Sequence, residues 1–291
     1  MSGFLFYGMK KEVLLVIVIL ETFLLSNSRA FTLETPRQKI ISLAPSTTEI
    51  LFALGLDEEI IGVSTFCDYP PEAKDKEKVG TFSQPNIEKI LFLKPDIIFC
   101  TGLEQAITVR ELRQLNLKVY VSDPTNIDEL FTSIKDMARL IHKEKKAEGL
   151  IKNMKIKIEE INLKVKSVPQ EKRPKVFVEI WHSPLMTAGK GSFLDELIYL
   201  AGGINIAHDT KRPYSYFSLE QIIKRNPDCI ILGYMTGRED LIKVGERFGW
   251  REIKAVKNNR IYNDINPDLL LRPGPRLIEG LEEIYKRLYP K

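Results

Sequence analysis

Residues Val79 to Phe99 read VGTFSQPNIEKILFLKPDIIF, and a shortened copy of this stretch returns at Phe217 to Leu232 as FSLEQIIKRNPDCIIL. Both copies place a Glu seven residues before a Pro-Asp pair, and these acids are Glu88 and Glu220. Each copy has an Asn or Ser that favours a helix N-cap and carries its Glu in the first helical turn. A β-branched apolar run follows each Pro-Asp turn and predicts a buried strand. The repeat therefore predicts two similar lobes in one chain.

The regularity extends beyond this repeat. Residues 49–55 (EILFALG) resemble residues 196–202 (ELIYLAG), and each stretch reads as an apolar helix closed by Gly. Strands and helices alternate along the chain, which is typical of parallel sheets with helices on both faces. The expected fold class is α/β, with two similar Rossmann-like lobes built on central parallel sheets. A small ligand is expected between the lobes, beyond the carboxyl ends of the strands.

A longer helical period marks the middle of the chain. Apolar residues recur at helical spacing from Ile127 to Ile141 and again from Ala147 to Val165. The second helix, of about 24 residues, would be about 36 Å long and could cross from one lobe to the other. The predicted organisation is an N-terminal lobe over residues 36–141, a single bridging α-helix over residues 142–168 and a C-terminal lobe over residues 174–291.

The N-terminus has the pattern of a secretory signal peptide. Lys10 and Lys11 precede an apolar run from Val13 to Leu25, which is too short for a bilayer span. Ser28-Arg29-Ala30 then supplies small residues for cleavage. Residues 1–30 are therefore predicted to be a signal peptide cut after Ala30. An uncleaved membrane anchor is the other interpretation.

The predicted destination is the periplasm. No Cys precedes Cys67, so the pattern favours a free protein over a lipid-anchored one, and Met9 is an alternative start. The 43 basic and 39 acidic residues give a net charge of +4 without a basic tract, so nothing indicates nucleic acid as a partner. Cys100 and Cys229 end or begin apolar strand-like runs, where small buried hydrophobes are expected rather than a disulfide.

Catalysis is not indicated. The chain has no GxSxG motif, and His142, His182 and His208 lie in unrelated contexts without the spacing of a catalytic triad. A metal site of the zinc or manganese kind would need several converging His or Cys ligands. Neither a catalytic residue nor a resident metal ion is therefore predicted.

Aromatic residues in loops are more informative. Each of them could be a packed loop anchor when considered alone. On facing loops of two lobes, several rings would form a slot for a flat, largely apolar ligand with a polar rim. Seven rings fall in segments that should follow strands or precede helices: Phe66, Tyr69, Phe82, Trp181, Tyr214, Tyr216 and Phe217.

Glu88 and Glu220 have two interpretations. A Glu in the first turn of a helix stabilises that helix by about 0.3–1 kcal/mol through the helix dipole. The dipole does not explain why equivalent positions in both lobes carry the same acid. If the lobes are related by a pseudo-two-fold axis, the two carboxylates match a two-fold symmetric partner that presents Arg or Lys.

With these residues in view, the chain resembles the cobalamin-binding proteins of ABC importers, within the class of substrate-binding proteins whose two lobes are joined by one long helix. The resemblance extends from Lys39 to Leu288. The motifs that carry it are ISLAPSTTE (41–49), GVSTFCDYPP (62–71), VGTF (79–82), KPDI (94–97), TAGK (187–190) and RPGPR (272–276).

The resemblance implies roles for individual residues. Phe66 and Phe82 occupy positions where the family stacks rings against the corrinoid, and Tyr214 falls where a ring lines the cleft. Glu88 and Glu220 match the two acids that dock into arginine pockets of the permease dimer. Trp181 and His182 are not part of the resemblance; Trp181 is a further cleft candidate, and the two could serve a haem or another corrinoid. The second-lobe loop that would close over the ligand comprises Asp268, Leu269, Leu270, Leu271 and Arg272.

The predicted function is capture of a cobalamin-like corrinoid, which carries its own cobalt, and delivery to an ABC permease dimer in the inner membrane. The protein is expected to act as a monomer, to need no other cofactor and to catalyse no reaction. Haem is an alternative ligand, with His182 as an axial ligand. A ferric siderophore is another, because Arg272, Arg276 and Lys190 could face an anionic chelate. A secreted cofactor-processing enzyme and a sensor or adhesion module are the alternatives from other classes.

Overall fold

A sheet of four parallel strands forms the centre of the first lobe. The strands are β1 (Ile40–Ser42), β2 (Ile60–Val63), β3 (Ile97–Cys100) and β4 (Val119–Val121). In this computed structural model, which describes residues 37–234 and 244–290 apart from the side chain of Leu103, their order is β2-β1-β3-β4. Every pairing is parallel, as the alternation of strands and helices predicts. The predicted signal peptide over residues 1–30 lies outside the described residues.

The second lobe has a mixed sheet of six strands. They are β5 (Lys175–His182), β6 (Leu185–Ala188), β7 (Ile204–Asn205), β8 (Tyr214–Tyr216), β9 (Cys229–Leu232) and β10 (Ile261–Tyr262). The order is β10-β9-β5-β6-β8, with β7 paired to β5. Strand β9 pairs in parallel with both β10 at the edge of the sheet and β5. Strands β6 and β8 extend this sheet in the antiparallel sense.

The antiparallel extension corrects one sequence-based expectation. Trp181 and His182 were expected in a loop, but they are the last two residues of β5, and Tyr214 and Tyr216 lie in β8 rather than in a loop. The physical reason is pairing: Trp181 lies opposite Met186 in β6, so the backbone beyond the parallel part of β5 still has hydrogen-bond partners. The alternation of strands and helices along the sequence does not predict an antiparallel hairpin of this kind.

Ten α-helices connect and cover the sheets within the described residues. The sequence also predicts a helix around Leu241 to Phe248; residues 241–243 lie outside the described residues, 244 and 245 are helical, and 246–248 are not. The helices are α1 (Pro45–Ala53), α2 (Ile87–Leu93), α3 (Ala106–Gln114), α4 (Ile127–Leu140), α5 (Glu144–Lys166), α6 (Phe193–Leu200), α7 (Leu219–Arg225), α8 (Lys254–Lys257), α9 (Asp268–Leu271) and α10 (Leu277–Leu288).

The long helix α5 joins the two α/β lobes, as predicted. Its 23 residues correspond to about 34 Å at 1.5 Å per residue. It packs against α4 on the first-lobe side and against α6 and α10 on the second-lobe side. One hydrophobic core runs continuously from Ile40 of the first sheet through Met154 of α5 to Val176 of the second sheet. The lobes therefore share a core behind the cleft as well as a connecting helix.

The repeat helices begin where the sequence predicts. Asn86 caps α2 by accepting a hydrogen bond from the backbone N–H of Lys89, and Ser218 caps α7 by accepting one from Gln221. The stretch APSTTE (44–49) predicts Ser46 or Thr47 as the cap of α1, and this prediction is wrong. That helix has Ala44 at its N-cap because Pro45, whose fixed φ suits a first helical position, starts the helix earlier.

The three cysteines are buried and free, and Cys100 and Cys229 lie in strands as expected. In the described ranges, no helix is both long enough and apolar enough to cross a membrane.

Candidate functional site

The loop after β2 carries the first candidate rings. Phe66 projects into solvent, whereas Cys67 beside it is buried and fixes the loop to the core. The thiol of Cys67 lies 3.1 Å from the hydroxyls of both Thr48 and Ser64. Tyr69, in the same loop, lies under Arg276, whose guanidinium carbon is 3.6 Å from the ring centroid. The first lobe thus presents Phe66 on a loop that is anchored on one side and contacts the second lobe on the other.

Two arginines of the second lobe bind carboxylates of the first lobe. Arg276 forms a bidentate pair with Glu49 of α1, with Nη2 to Oε1 at 2.6 Å and Nε to Oε2 at 2.9 Å. Arg272 donates from Nη1 to Asp68 Oδ1 at 2.7 Å, and its Nε lies 2.9 Å from Asp268 Oδ1. Glu49, Asp68, Asp268, Arg272 and Arg276 are called the interlobe ion cluster below.

The cluster perturbs its acids in opposite directions. Although burial alone would raise it, the hydrogen bond and charge of Arg272 hold the pKa of Asp68 below its usual range. Burial raises the pKa of Asp268, against the opposing charge of Arg272. Three carboxylates face two guanidinium groups, so the fully ionised cluster carries one excess negative charge.

Sequence reasoning missed the role of Glu49. The sequence predicts Glu49 in the first turn of an apolar helix, but α1 begins at Pro45, so Glu49 lies in the second turn, where it is only 4% exposed. Its partner Arg276 is 227 residues away along the chain, so no local spacing reveals the pair. The available clue was an acid in the apolar stretch EILFALG, since a buried carboxylate requires a cation.

Phe82, the second candidate ring, is half-buried and held through its backbone. Buried Gln105 donates from Nε2 to the carbonyl oxygens of Phe82 at 2.8 Å and Leu43 at 2.9 Å. The same side chain accepts from the backbone N–H of Thr101 at 2.9 Å. Both the amide nitrogen and the amide oxygen of Gln105 are therefore engaged in hydrogen bonds to backbone groups, and one of these bonds holds Phe82. Sequence reasoning did not identify Gln105.

Tyr214 faces the first lobe. Burial raises the pKa of its phenol, and the negative charge of Glu104 from the first lobe raises it further. The pKa of Asp123 is likewise raised by burial first and by Glu104 second. Because Glu104 adjoins Gln105, the segment that holds the Phe82 loop also faces Tyr214. An acid of the first lobe thus acts on the phenol of Tyr214.

Trp181 and His182 lie at the carboxyl end of β5, and both are exposed. Trp181 donates from Nε1 to the carbonyl oxygen of Ser183 at 2.9 Å. The ring of His182 lies 5.8 Å from that of Trp181 and 6.0 Å from that of Tyr234, between ring centroids. No group of three His, Cys, Asp or Glu side chains among residues 37–234 and 244–290 could hold a metal ion.

The predicted closing loop is helical and only partly available to a ligand. Asp268–Leu271 form α9, and Leu269 and Leu271 are partly exposed. Leu270 is fully buried in the shared core, so its assignment as a ligand contact is not supported. Arg272 is already paired with acids on both sides, so its cation is committed to joining the lobes.

The proposed docking acids are exposed on equivalent helices. Glu88 lies in the first turn of α2 and Glu220 in the first turn of α7. Hydrogen bonds from its own backbone N–H and from Ser218 lower the pKa of Glu220. Neither carboxylate forms an ion pair within the described part of the chain. Their helices are the two copies of the sequence repeat, which supports a shared role without testing it.

Comparison with known proteins gives a consistent family. Residues 40–266 match the periplasmic binding protein family. An uncharacterized ABC transporter substrate-binding lipoprotein of Bacillus subtilis is 36% identical over 270 residues, which cover 91% of this chain and 84% of that protein. The vitamin B12-binding protein of Vibrio cholerae is 30% identical over 274 residues, which cover 93% of this chain and 96% of that protein.

Solved structures show the same architecture. The crystal structure of the Vibrio cholerae vitamin B12-binding protein superposes with a TM-score of 0.74 at 30% identity, over 87% of this chain and 97% of that one. A possible iron-binding, periplasmic solute-binding protein of Staphylococcus epidermidis gives a TM-score of 0.77 at 34% identity, over 87% and 98% of the two chains. The predicted α/β fold with two lobes and a bridging helix is thereby confirmed.

Proposed function

Because the chain belongs to the periplasmic binding protein family of ABC importers, we propose that it captures a cobalamin-like corrinoid between its two lobes and delivers it to a permease dimer. The observation that supports this proposal is that both lobes carry candidate aromatic side chains, while Arg272 and Arg276 are already paired with carboxylates. Phe66 and Phe82 belong to the first lobe, and Trp181 and Tyr214 to the second. Such rings suit a flat ligand with a large apolar face.

Charge argues for a corrinoid over an anionic chelate. The two arginines that could have faced a ferric siderophore, Arg272 and Arg276, are bound to carboxylates. Glu104 adds a further negative charge that acts on Tyr214, and Asp123 lies close enough to Glu104 for its own pKa to be raised by it. An anionic ligand entering this cleft would lose hydration without gaining a free guanidinium. A ligand without net negative charge avoids that cost.

A second candidate is an iron complex. The Staphylococcus epidermidis protein, 34% identical to this chain, is described as possibly iron-binding. Exposed His182 beside Trp181 gives haem an axial nitrogen, and exposed Lys190 gives an anionic ligand one basic group. Either ligand would use the same cleft, so the choice concerns the substrate and leaves the transport function unchanged.

The proposal also covers the absence of catalysis, the location, the docking residues and the oligomeric state. Relatives are described as substrate-binding proteins, which supports a protein that binds and releases its ligand without chemical change. Export into the periplasm through cleavage after Ala30 is part of the proposal, as is docking through Glu88 and Glu220. The proposed working form is a monomer on a permease dimer.

A spectroscopic titration tests the ligand. The chain from Phe31 onward is titrated with cyanocobalamin and, in parallel, with haemin and a ferric catecholate. Saturable binding of one cyanocobalamin per chain is expected, and Phe66→Ala with Phe82→Ala should weaken it about 100-fold if each ring contributes about 1.4 kcal/mol. Tyr199→Ala, which removes an exposed ring from α6, is the matched control and should change nothing.

The alternative outcomes are distinct. A Soret shift with haemin that is lost in His182→Ala, with no response to cyanocobalamin, would replace the corrinoid by haem. Tight binding of the ferric catecholate that depends on Lys190 would overturn the charge argument. Binding of none of the three would contradict the whole tetrapyrrole and siderophore assignment.

A further inference from the structure

Two phenylalanine rings stand almost fully in solvent. Phe92 is 82% exposed and Phe248 is 90% exposed, and these are the two most exposed large apolar side chains in residues 37–234 and 244–290. Single exposed apolar residues are common on protein surfaces and need no explanation. These two rings differ from other exposed apolar residues because each lies on or next to one of the two repeat helices, α2 and α7.

Phe92 belongs to the same helix face as a docking acid. Glu88, Leu91 and Phe92 are spaced i, i+3 and i+4 along α2, so their side chains are neighbours on one face. All three are exposed, whereas Ile90 on the opposite face is buried in the core. The solvent face of α2 thus combines one unpaired carboxylate with two apolar side chains.

In the second lobe, the exposed ring near the acid-bearing helix α7 comes from a different segment of the chain. In the repeat, the position of Phe92 is occupied by Lys224, so α7 has no ring of its own there. The segment that carries Phe248 packs against α7 instead. A Cβ on Gly249 would lie 2.7 Å from Cδ1 of Ile223, which is three residues after Glu220. Phe92 therefore lies one helical turn after Glu88 on the same helix, and Phe248 lies in a segment that contacts α7 three residues after Glu220.

We propose that Phe92 and Phe248 are apolar anchors of the surface that docks on the permease, one ring per lobe beside one carboxylate per lobe. This inference rests on the proposed function, in which a permease dimer is the partner. The partner surface that fits is two-fold symmetric and presents a basic pocket next to an apolar depression on each subunit. A basic partner surface is expected because the carboxylates of Glu88 and Glu220 have no basic partner within the described residues, so charges on the permease can complement them.

The rings and the acids have separable tasks. Exposed charges at the rim of an interface mainly steer encounter, so they govern the association rate and its dependence on salt. Aromatic side chains that become buried at the centre of an interface mainly slow dissociation. Two rings on opposite lobes would also require both lobes to be seated, which favours the docked orientation over contact through one lobe.

Binding kinetics test the proposal. The probe is the ABC permease dimer of the same source, reconstituted in lipid nanodiscs, with empty nanodiscs of the same lipids as the reference surface. Phe92→Ala and Phe248→Ala are each expected to raise the dissociation rate about tenfold, and the association rate should stay within about twofold. Glu88→Gln with Glu220→Gln should lower the association rate at low salt. Tyr199→Ala, a 68% exposed ring on α6, is the matched control and should leave both rates unchanged.

The outcomes separate the two levels of the proposal. Loss of binding in the Glu variants with unaltered dissociation in both Phe variants would overturn the ring assignment and leave the proposed function standing. Failure of the unmodified protein to bind the permease would overturn both. Equal binding to empty nanodiscs, or a self-association in sedimentation equilibrium that only the Phe variants abolish, would assign the rings to lipid or to a second copy and overturn the inference.

Discussion

Glu179 places a carboxylate in the interior of the second lobe, and a single cation compensates it. The side chain is fully buried, and Arg247 Nη1 donates to its two oxygens at 2.7 and 2.8 Å. The phenol of Tyr234 donates to the same carboxylate. Burial raises the pKa of Glu179, while the bonds from Arg247 and Tyr234 oppose that shift.

Removing the cation should destabilise the fold strongly. Arg247→Met leaves an uncompensated buried carboxylate, and the free energy of unfolding at pH 7 is expected to fall by about 3–5 kcal/mol. Urea denaturation measures this. Adding Glu179→Gln to Arg247→Met removes the charge that lacks a partner and should restore more than half of the loss.

The sign of the pH dependence gives an independent check. A carboxyl whose folded pKa is raised contributes stability that is present below its unfolded pKa, about 4.3, and is lost as pH rises through the folded pKa. Arg247→Met raises the folded pKa further, so its deficit relative to wild type should shrink as pH falls from 7 toward 5. A deficit that stays constant with pH would show that packing, not charge, dominates the loss.

The three thiols should be inert in the folded protein. Burial raises the pKa of Cys100 and of Cys229 to about 12, and it also raises the pKa of Cys67. The thiolate is the reactive form, so its population at pH 8 is very small. A colorimetric thiol reagent should therefore detect no reactive cysteine in the native protein and three in guanidinium chloride. Rapid modification of one native thiol would contradict the burial of Cys67, the least perturbed of the three.

At the scale of elements, the repeat helices depend on their caps because each has only seven residues. The Asn86 side chain accepts from Lys89 N–H at 2.9 Å, whereas the Ser218 hydroxyl accepts from Gln221 N–H at 3.3 Å. We expect Asn86→Ala to lower the free energy of unfolding by about 1 kcal/mol and Ser218→Ala by less, since the longer bond is weaker. Thermal denaturation of the two variants and of Asn86→Asp, which should retain stability, tests the order.

Elements of this kind could be predicted from the sequence because their determinants are local. The run IIGV predicts a strand at Ile60–Val63, and FLDELIYL predicts a helix at Phe193–Leu200. Both bounds agree with the structure, as do the two caps, because each depends on residues within one or two turns. Extension of β5 through His182 could not be predicted, because it depends on pairing with β6 rather than on the composition of the strand itself.

The candidate site was predictable to a different extent. Aromatic residues in loops indicate a flat slot; the structure places Phe82 in the first lobe and Tyr214 in β8 of the second, and the slot itself stays a prediction. The compensation of Arg276 by Glu49 was not predictable, because two residues 227 positions apart meet only in the folded molecule. The sequence therefore does not predict that this arginine is neutralised, which is the basis of the argument for a corrinoid over an anionic siderophore.

At the scale of the whole molecule, the ion pair between Asp68 and Arg272 links the lobes in a pH-dependent way. The folded pKa of Asp68 is lowered, so its contribution is present above its unfolded pKa of about 3.9 and is lost as pH falls through the folded value. Asp68 is about half exposed, so solvent screening limits the contribution to less than about 1 kcal/mol. Asp68→Asn should be less stable than wild type in urea at pH 6 and equal to it near pH 2. A difference that persists at the lower pH would assign the effect to packing.

The shared core and the interlobe ion cluster together predict limited motion between the lobes. A hinge opens easily when few contacts cross it, but here α5 packs against elements of both lobes, and Arg272 and Arg276 bind acids across the cleft. Small-angle scattering should therefore give nearly the same radius of gyration for the free protein and for the protein saturated with its ligand. Arg272→Met with Arg276→Met removes the cross-cleft pairs while leaving the shared core, and the free form of this variant should be slightly larger and should contract on binding. A large ligand-induced contraction of the wild-type protein would contradict this prediction. It would mean that the shared core rearranges when the lobes close and that the interlobe ion cluster forms only in the closed state.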